Sequence, residues 1–189
     1  LIAAHKAAES NGWFLLSDTS WAGYTKIPRR VMEGYIVAAA EAVTQIPVVP
    51  SHILLQAGVG GFAAAAAAYF RHVWGNSPKI FVIEPDAAPA LFQSIDQGRL
   101  ATCTGPDSIM GRLDCKTPSL IALNGLARDA DEFHLISDNA VASALPELKK
   151  YGLETSPSGG VSLAALHYGI PGIDNNSRVL CFVTEQKIE

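Results

Sequence analysis

The chain reads as an α/β protein: a parallel, twisted sheet with helices on both faces. Three observations predict this. Short apolar runs alternate with helical patterns along the whole chain. Two of those runs, His52–Gln56 and residues 79–84, have unbroken apolar centres (53–55 and 80–83), as strands covered on both faces do. One of them passes through Gly58, Gly60 and Gly61 directly into a helix, a connection typical of βα units.

Taken in order, the chain opens in a helical pattern, Ile2-Ala3-Ala4 with Ala7 and Ala8, that already has an apolar face to bury. It starts at Leu1 without methionine, and an opening inside an element is read as the mark of a fragment. Residues 13–16, Trp-Phe-Leu-Leu, are expected as a short strand, and 28–43 as an amphipathic helix with Pro28 near its first turn. Strand 52–56, helix 61–74, strand 79–84 and helix 88–97 follow. A long polar connection over 98–117 precedes a helix at 120–128, a strand at 132–136 and a helix over 138–151 capped by Asp138. A helix at 160–168 and a strand at 178–184 complete the series. No repeat or low-complexity linker divides the chain.

Composition narrows the function classes. Of 189 residues, 49% are hydrophobic and 17% charged, so a buried core is easily supplied and disorder is not expected. A net charge of -4 leaves no basic face for nucleic acid, and the pairs Arg29-Arg30 and Lys149-Lys150 read as solvated helix ends. No apolar run reaches the ~18 residues of a membrane span. The early His5, Lys6 and Glu9 break any signal peptide, so a cytoplasmic location is expected. The 3 cysteines lack CxxC spacing and imply no metal site. Cys181 reads as a small core residue. Cys103 and Cys115 share one polar segment and could pair, although a cytosolic setting argues against a stable bridge.

The most informative stretch is Leu55-Gln-Ala-Gly-Val-Gly-Gly-Phe-Ala63. Glycines let the backbone present its N–H groups unobstructed, and the helix N-terminus adds partial positive charge, so the place suits a phosphate. Gly58, Gly60 and Ala63, with Glu84 closing the next strand, formally satisfy a dinucleotide fingerprint. Another phosphate ligand or a purely structural turn also fits the loop. A second small-residue loop, Thr155-Ser-Pro-Ser-Gly-Gly160, also opens a helix, and its plain reading is a capping turn with Ser158 as N-cap.

Together, the two loops and Glu84-Pro85 at a strand end resemble the fold-type II pyridoxal-phosphate (PLP) enzymes, the tryptophan synthase β-like family. The segment Asp18-Thr-Ser-Trp-Ala-Gly-Tyr-Thr-Lys-Ile-Pro28 is similar to the diaminopropionate ammonia-lyases within it. So are Leu55-Gln-Ala-Gly-Val-Gly60, Ile109-Met-Gly-Arg-Leu-Asp-Cys115 and Ile136-Ser-Asp-Asn-Ala140. The resemblance implies a PLP cofactor and α,β-elimination of 2,3-diaminopropionate to pyruvate and ammonia. It also implies a homodimer when full length. It implies that the backbone of Gly58, Val59, Gly60 and Gly61 cradles the cofactor phosphate and that Ser158 faces the pyridine nitrogen. Asp18 matches an acidic active-site position that handles a proton or the substrate's amino group; its structural alternative is an Asx turn with Ser20. Glu84 is read as a strand-end residue near the site.

Departures from the family pattern matter too. The Schiff-base lysine belongs to a segment upstream of Leu1, and Lys6, Lys26, Lys79, Lys116, Lys149, Lys150 and Lys187 all lie in the wrong context for it. Residues 1–189 are therefore expected to form one incomplete PLP-binding unit. Within it, 1–50 connect towards a missing N-terminal part and 51–189 form the α/β domain that binds the cofactor phosphate. The isolated chain is expected to be inactive. A serine/threonine dehydratase or a cysteine-synthase-like enzyme is the nearest alternative within the fold. A Rossmann-type NAD-binding half comes from another class, and a non-catalytic remnant that merely folds or associates is the third.

Overall fold

Among the described residues four strands carry the fold: β1 (His52–Gln56), β2 (Lys79–Pro85), β3 (Glu132–Ile136) and β4 (Val179–Cys181). They form one parallel sheet in the order β3-β2-β1-β4. The computed structural model describes residues 2–186. Its helices are α1 (Ile2–Asn11), α2 (Lys26–Gln45), α3 (Gly61–Trp74), α4 (Ala90–Asp96), α5 (Leu120–Asp129), α6 (Asp138–Lys150) and α7 (Pro157–Tyr168).

Both faces of the central strands β1 and β2 are buried, and the period-2 geometry of a strand divides their apolar residues between two cores. Ile53 and Leu55 of β1 and Ile80 and Val82 of β2 pack with α2, α3 and α5. The alternate residues Leu54, Phe81 and Ile83 pack with Val141 and Ala144 of α6 and Val161, Ala164 and Ala165 of α7. The alanine run of α3, residues 63–68, keeps that helix thin enough to lie close to its neighbours: a Cβ on Gly125 of α5 would sit 3.5 Å from Ala64 Cβ.

The expected α/β architecture holds, with local corrections. Residues 13–16 are not a strand. Trp13, Phe14 and Leu16 are 65–74% exposed, so this apolar run has no second layer to bury against. The helix expected from 88 begins at Ala90, because Glu84 takes the amides of its first turn. The cap of α6 is Ser137, whose hydroxyl accepts the Ala140 N–H at 3.2 Å; Asp138 instead receives Ser108 Oγ and the Ile109 amide. The cap of α7 is Ser156, accepting the Gly159 N–H at 3.0 Å, so the helix starts earlier than expected and Ser158 lies inside its first turn. The last strand is confined to Val179–Cys181, the length over which it pairs with β1. Cys103, Cys115 and Cys181 are free thiols.

Candidate functional site: a glycine cradle at the switch of strand order

The chain runs from β1 outward to β2 and β3, then returns with β4 on the other side of β1. Strand order therefore reverses between β1 and β4, the point at which the ligand crevice of an open α/β sheet lies, outside the carboxyl ends of the strands. Four segments meet at this place: the turn after β1, the tail after β4, the start of α7 and the irregular connection around residue 112.

The turn after β1 is built to expose its amides. Ala57 N–H still belongs to the sheet, donating to Ile83 O at 2.9 Å, and Val59 O accepts the Ser119 amide at 2.9 Å. The amides of Gly58 and Gly60 donate to no acceptor among the described residues, and those at the start of α3 have none by helix geometry. Gly60 is the N-cap of α3 with φ 95°, a conformation that side chains disfavour. Gly58 is glycine for space. A Cβ there would lie 3.0 Å from Arg112 O and Cys115 Sγ and 3.1 Å from Leu113 Cα. No acidic residue stands in the first turn of α3. Free amides, a helix N-terminus and absent Cβ atoms fit a phosphate dianion. Gly58→Ala is expected to destabilise the fold by about 1–3 kcal/mol, since two of the three crowded neighbours are backbone. Urea unfolding checks this, and unchanged stability would show that the connection is loose.

Across the crevice, Ser158 is 4% exposed and its Oγ accepts the Arg112 N–H at 3.2 Å. With that lone pair engaged, its hydroxyl hydrogen donates to none of the described atoms and is available to a ring nitrogen. Gln56, the last residue of β1, donates Nε2 to Phe182 O and Thr184 Oγ1 at 3.1 Å and accepts Ser162 Oγ at 3.0 Å, joining β1, α7 and the tail. Glu185 in that tail pairs with Arg112 Nε at 2.8 Å and accepts Ser156 Oγ at 2.5 Å.

Asp18 is exposed, with Thr19 Oγ1 at 3.3 Å as its polar contact. The Asx turn with Ser20 does not form. The Ser20 amide goes to Ser119 Oγ at 3.0 Å, while Ser17 Oγ accepts the Thr19 amide at 3.2 Å. Ser20 Oγ in turn accepts the Ile121 amide at 2.9 Å and so caps α5 from 101 residues away. This pins the Asp18 segment beside the glycine turn. Burial pushes the Cys115 thiol pKa up, and the Asp18 carboxylate pushes it further in the same direction.

Glu84 is fully buried and accepts the Leu91 and Phe92 amides at 2.8 and 2.7 Å. Burial raises its pKa to about 7 against the opposing pull of those amides and that of Ala90. Its oxygens are committed to α4, so it cannot bind the ribose that a dinucleotide reading requires. Lys116 Nζ donates to Ala87 O, Pro106 O and Asp114 Oδ1, and its pKa is raised chiefly by the Asp114 hydrogen bond. That is a structural cation and the opposite of a nucleophilic amine. Lys187 lies outside the described residues. Two grooves sit on the helical surface, about 650 Å³ beside α6 and about 530 Å³ between α2, α3 and α5, and neither is lined by Gly58–Gly61 or Ser158.

Sequence reading brought forward Gly58, Val59, Gly60, Gly61, Ser158 and Asp18, and missed Gln56, Arg112, Thr184 and Glu185. A signal for the last pair existed, since Thr184-Glu185 lies at the carboxyl end of the last expected strand, where ligand sites of open α/β sheets gather.

Parallel strands, a glycine turn offering free amides and a hydroxyl near it are features that suit a phosphate-bearing cofactor. The chain belongs to the pyridoxal-phosphate dependent enzyme family, whose model matches residues 1–185. It is 38% identical over 148 residues to the diaminopropionate ammonia-lyase of Salmonella typhimurium, covering 74% of this chain and 36% of that protein. It is 36% identical over 174 residues to that of Escherichia coli strain K12, covering 85% and 44%. The Escherichia coli enzyme solved with an aminoacrylate-PLP azomethine reaction intermediate superposes with a TM-score of 0.87 at 31% identity, over 98% of this chain and 52% of that one. The processed form of threonine deaminase isoform 2 from Solanum lycopersicum shares the fold at 17% identity, with a TM-score of 0.84 over 100% and 53%. The chain thus spans less than half the length of the curated relatives it matches.

Proposed function

We propose that this chain is the phosphate-holding portion of a diaminopropionate ammonia-lyase, which converts 2,3-diaminopropionate to pyruvate and ammonia. The observation that carries the reading is the pairing, across one crevice, of the free-amide glycine turn with a buried serine hydroxyl whose hydrogen is uncommitted. When bound, pyridoxal phosphate supplies an electron-withdrawing ring that acidifies the substrate's α-hydrogen and lets the β-amino group depart. The backbone of Gly58, Val59, Gly60 and Gly61 holds the phosphate dianion. Ser158 donates to the pyridine nitrogen. A neutral hydroxyl leaves that nitrogen unprotonated, which suits elimination better than a full electron sink. Asp18, exposed beside the turn, receives the substrate's second ammonium group or holds the proton that moves as ammonia leaves.

In this reading residues 1–50 lead towards the remainder of the enzyme and 51–189 hold the cofactor phosphate. The full-length protein acts in the cytoplasm as a homodimer. Among the described residues no helix is long and apolar enough to cross a membrane, which is compatible with that location.

The test is product analysis with the full-length protein supplied with pyridoxal phosphate. Two molecules of ammonia for each pyruvate are expected from 2,3-diaminopropionate, with little release from serine or threonine. The reverse preference would install the dehydratase reading, and a protein that does not bind the cofactor would remove both.

A further inference from the structure

We infer that Arg112 is a positioning residue for the cofactor ring, its peptide orienting the Ser158 hydroxyl and its side chain anchoring that peptide to Glu185; this rests on the pyridoxal-phosphate reading above. The main chain of this one residue touches both ends of the crevice. Its carbonyl oxygen lies 3.0 Å from where a Cβ on Gly58 would stand, and its amide donates to Ser158 Oγ at 3.2 Å. A serine hydroxyl has one hydrogen and two lone pairs. With one lone pair held by the Arg112 amide, the hydrogen points away from that amide and can donate to an acceptor in the crevice. Without the amide in place, the hydroxyl is free to rotate and present a lone pair instead.

Arg112 sits outside the strands and helices, in a turn closed by the Leu113 N–H donating to Met110 O at 2.7 Å, and its side chain adds a further anchor. The anchor is Glu185. Its Oε1 meets Arg112 Nε at 2.8 Å and its Oε2 accepts from Ser156 Oγ, the N-cap of α7. Its carbonyl oxygen accepts Thr155 Oγ1 at 2.6 Å. One residue therefore joins the connection, the start of the helix that carries Ser158 and the tail after β4. The Arg112 side chain is 66% exposed, so water screens the pair and its strength alone is modest. Its effect is on geometry, because Glu185 has both oxygens engaged and its partners converge on Ser158.

A double-mutant cycle on the cofactor-free full-length protein tests this. The dissociation constant for pyridoxal phosphate is measured for wild type, Arg112→Met, Ser158→Ala and the double variant, with Arg112→Lys alongside. Arg112→Met leaves the backbone amide in place but removes its anchor. It is expected to weaken binding roughly fivefold in the wild-type background, the upper range for such a pair. In the Ser158→Ala background the loss should fall below about twofold, since no hydroxyl remains to be oriented. Arg112→Lys should recover part of the affinity. Equal losses in both backgrounds would show a purely structural ion pair and overturn the inference, as would unchanged affinity in Arg112→Met. If the wild type itself fails to bind, the cofactor reading falls and takes this inference with it, a result distinguishable because the unmodified protein is the one that fails.

Discussion

Asp18→Asn in the full-length enzyme is expected to lower turnover of 2,3-diaminopropionate by about two to four orders of magnitude while leaving the fold intact. The second half of that expectation comes from the surroundings of the carboxylate. Asp18 is exposed and its polar contact is a 3.3 Å hydrogen bond from Thr19. The segment is fastened by its neighbours instead, through the Ser20–Ser119 hydroxyl pair at 2.7 Å and the stacked rings of Trp21 and Tyr24. Removing one negative charge therefore costs the fold almost nothing. What it removes is the anion that attracts a second ammonium group or carries a proton. Steady-state kinetics beside a thermal melt separates the two contributions. Normal turnover in Asp18→Asn would make Asp18 an ordinary surface residue.

Glu84 is expected to show the reverse pattern, a large effect on stability with a defined pH dependence. Its folded pKa of about 7 lies above the ordinary 4.5, so the folded state holds the proton more tightly than the unfolded chain does. The stabilisation from this group is fully present below pH 4.5, is lost as pH rises through about 7, and is flat above that. By linkage the swing is about 3 kcal/mol. Glu84→Gln cannot ionise, so its stability relative to wild type should improve between pH 5 and pH 8 by roughly that amount. Glu84→Ala should cost about 3–5 kcal/mol at pH 5, because the Leu91 and Phe92 amides lose their acceptors and a void is left in the core, and less at pH 8 by the same swing, since it too lacks the titrating group. Urea unfolding at the two pH values checks both variants. A pH-independent gap between wild type and Glu84→Gln would mean that Glu84 stays ionised throughout.

Where a local pattern decides the outcome, the sequence was sufficient. Hydrophobic runs bounded by turns became β1, β2 and β3, and the glycine turn became an N-terminal cradle because glycine spacing is a backbone property. Non-local partners were not legible. Residues 13–16 carry a strand-like composition, yet they join neither edge of the sheet and their apolar side chains lie exposed. Cap identity moved by one position at α6 and by two at α7, since Ser137, Asp138, Ser156 and Ser158 all have suitable side chains and only the entry direction of the chain selects among them. Ser20 caps α5 and Arg112 reaches Glu185 across long stretches of sequence, and periodicity carries no trace of either. At the site, the glycines and Ser158 named from motifs lie at the crevice, but the network that orients them comes from tertiary contact.

The β4–β1 pairing also bears on how the protein assembles. Ser51 and Arg178, at the entry to this pairing, are 127 residues apart in sequence. Closing so long a loop sacrifices chain entropy before any contact compensates, and contacts of high sequence separation slow folding. The helices and the β1–β2–β3 core can consolidate from nearer neighbours, leaving the docking of the C-terminal tail as the natural last event. The crevice between β1 and β4 exists only after that event. A cofactor bound there would act as a late staple, trapping the completed topology and slowing its release, so ligand saturation should lengthen the native lifetime more than it speeds refolding.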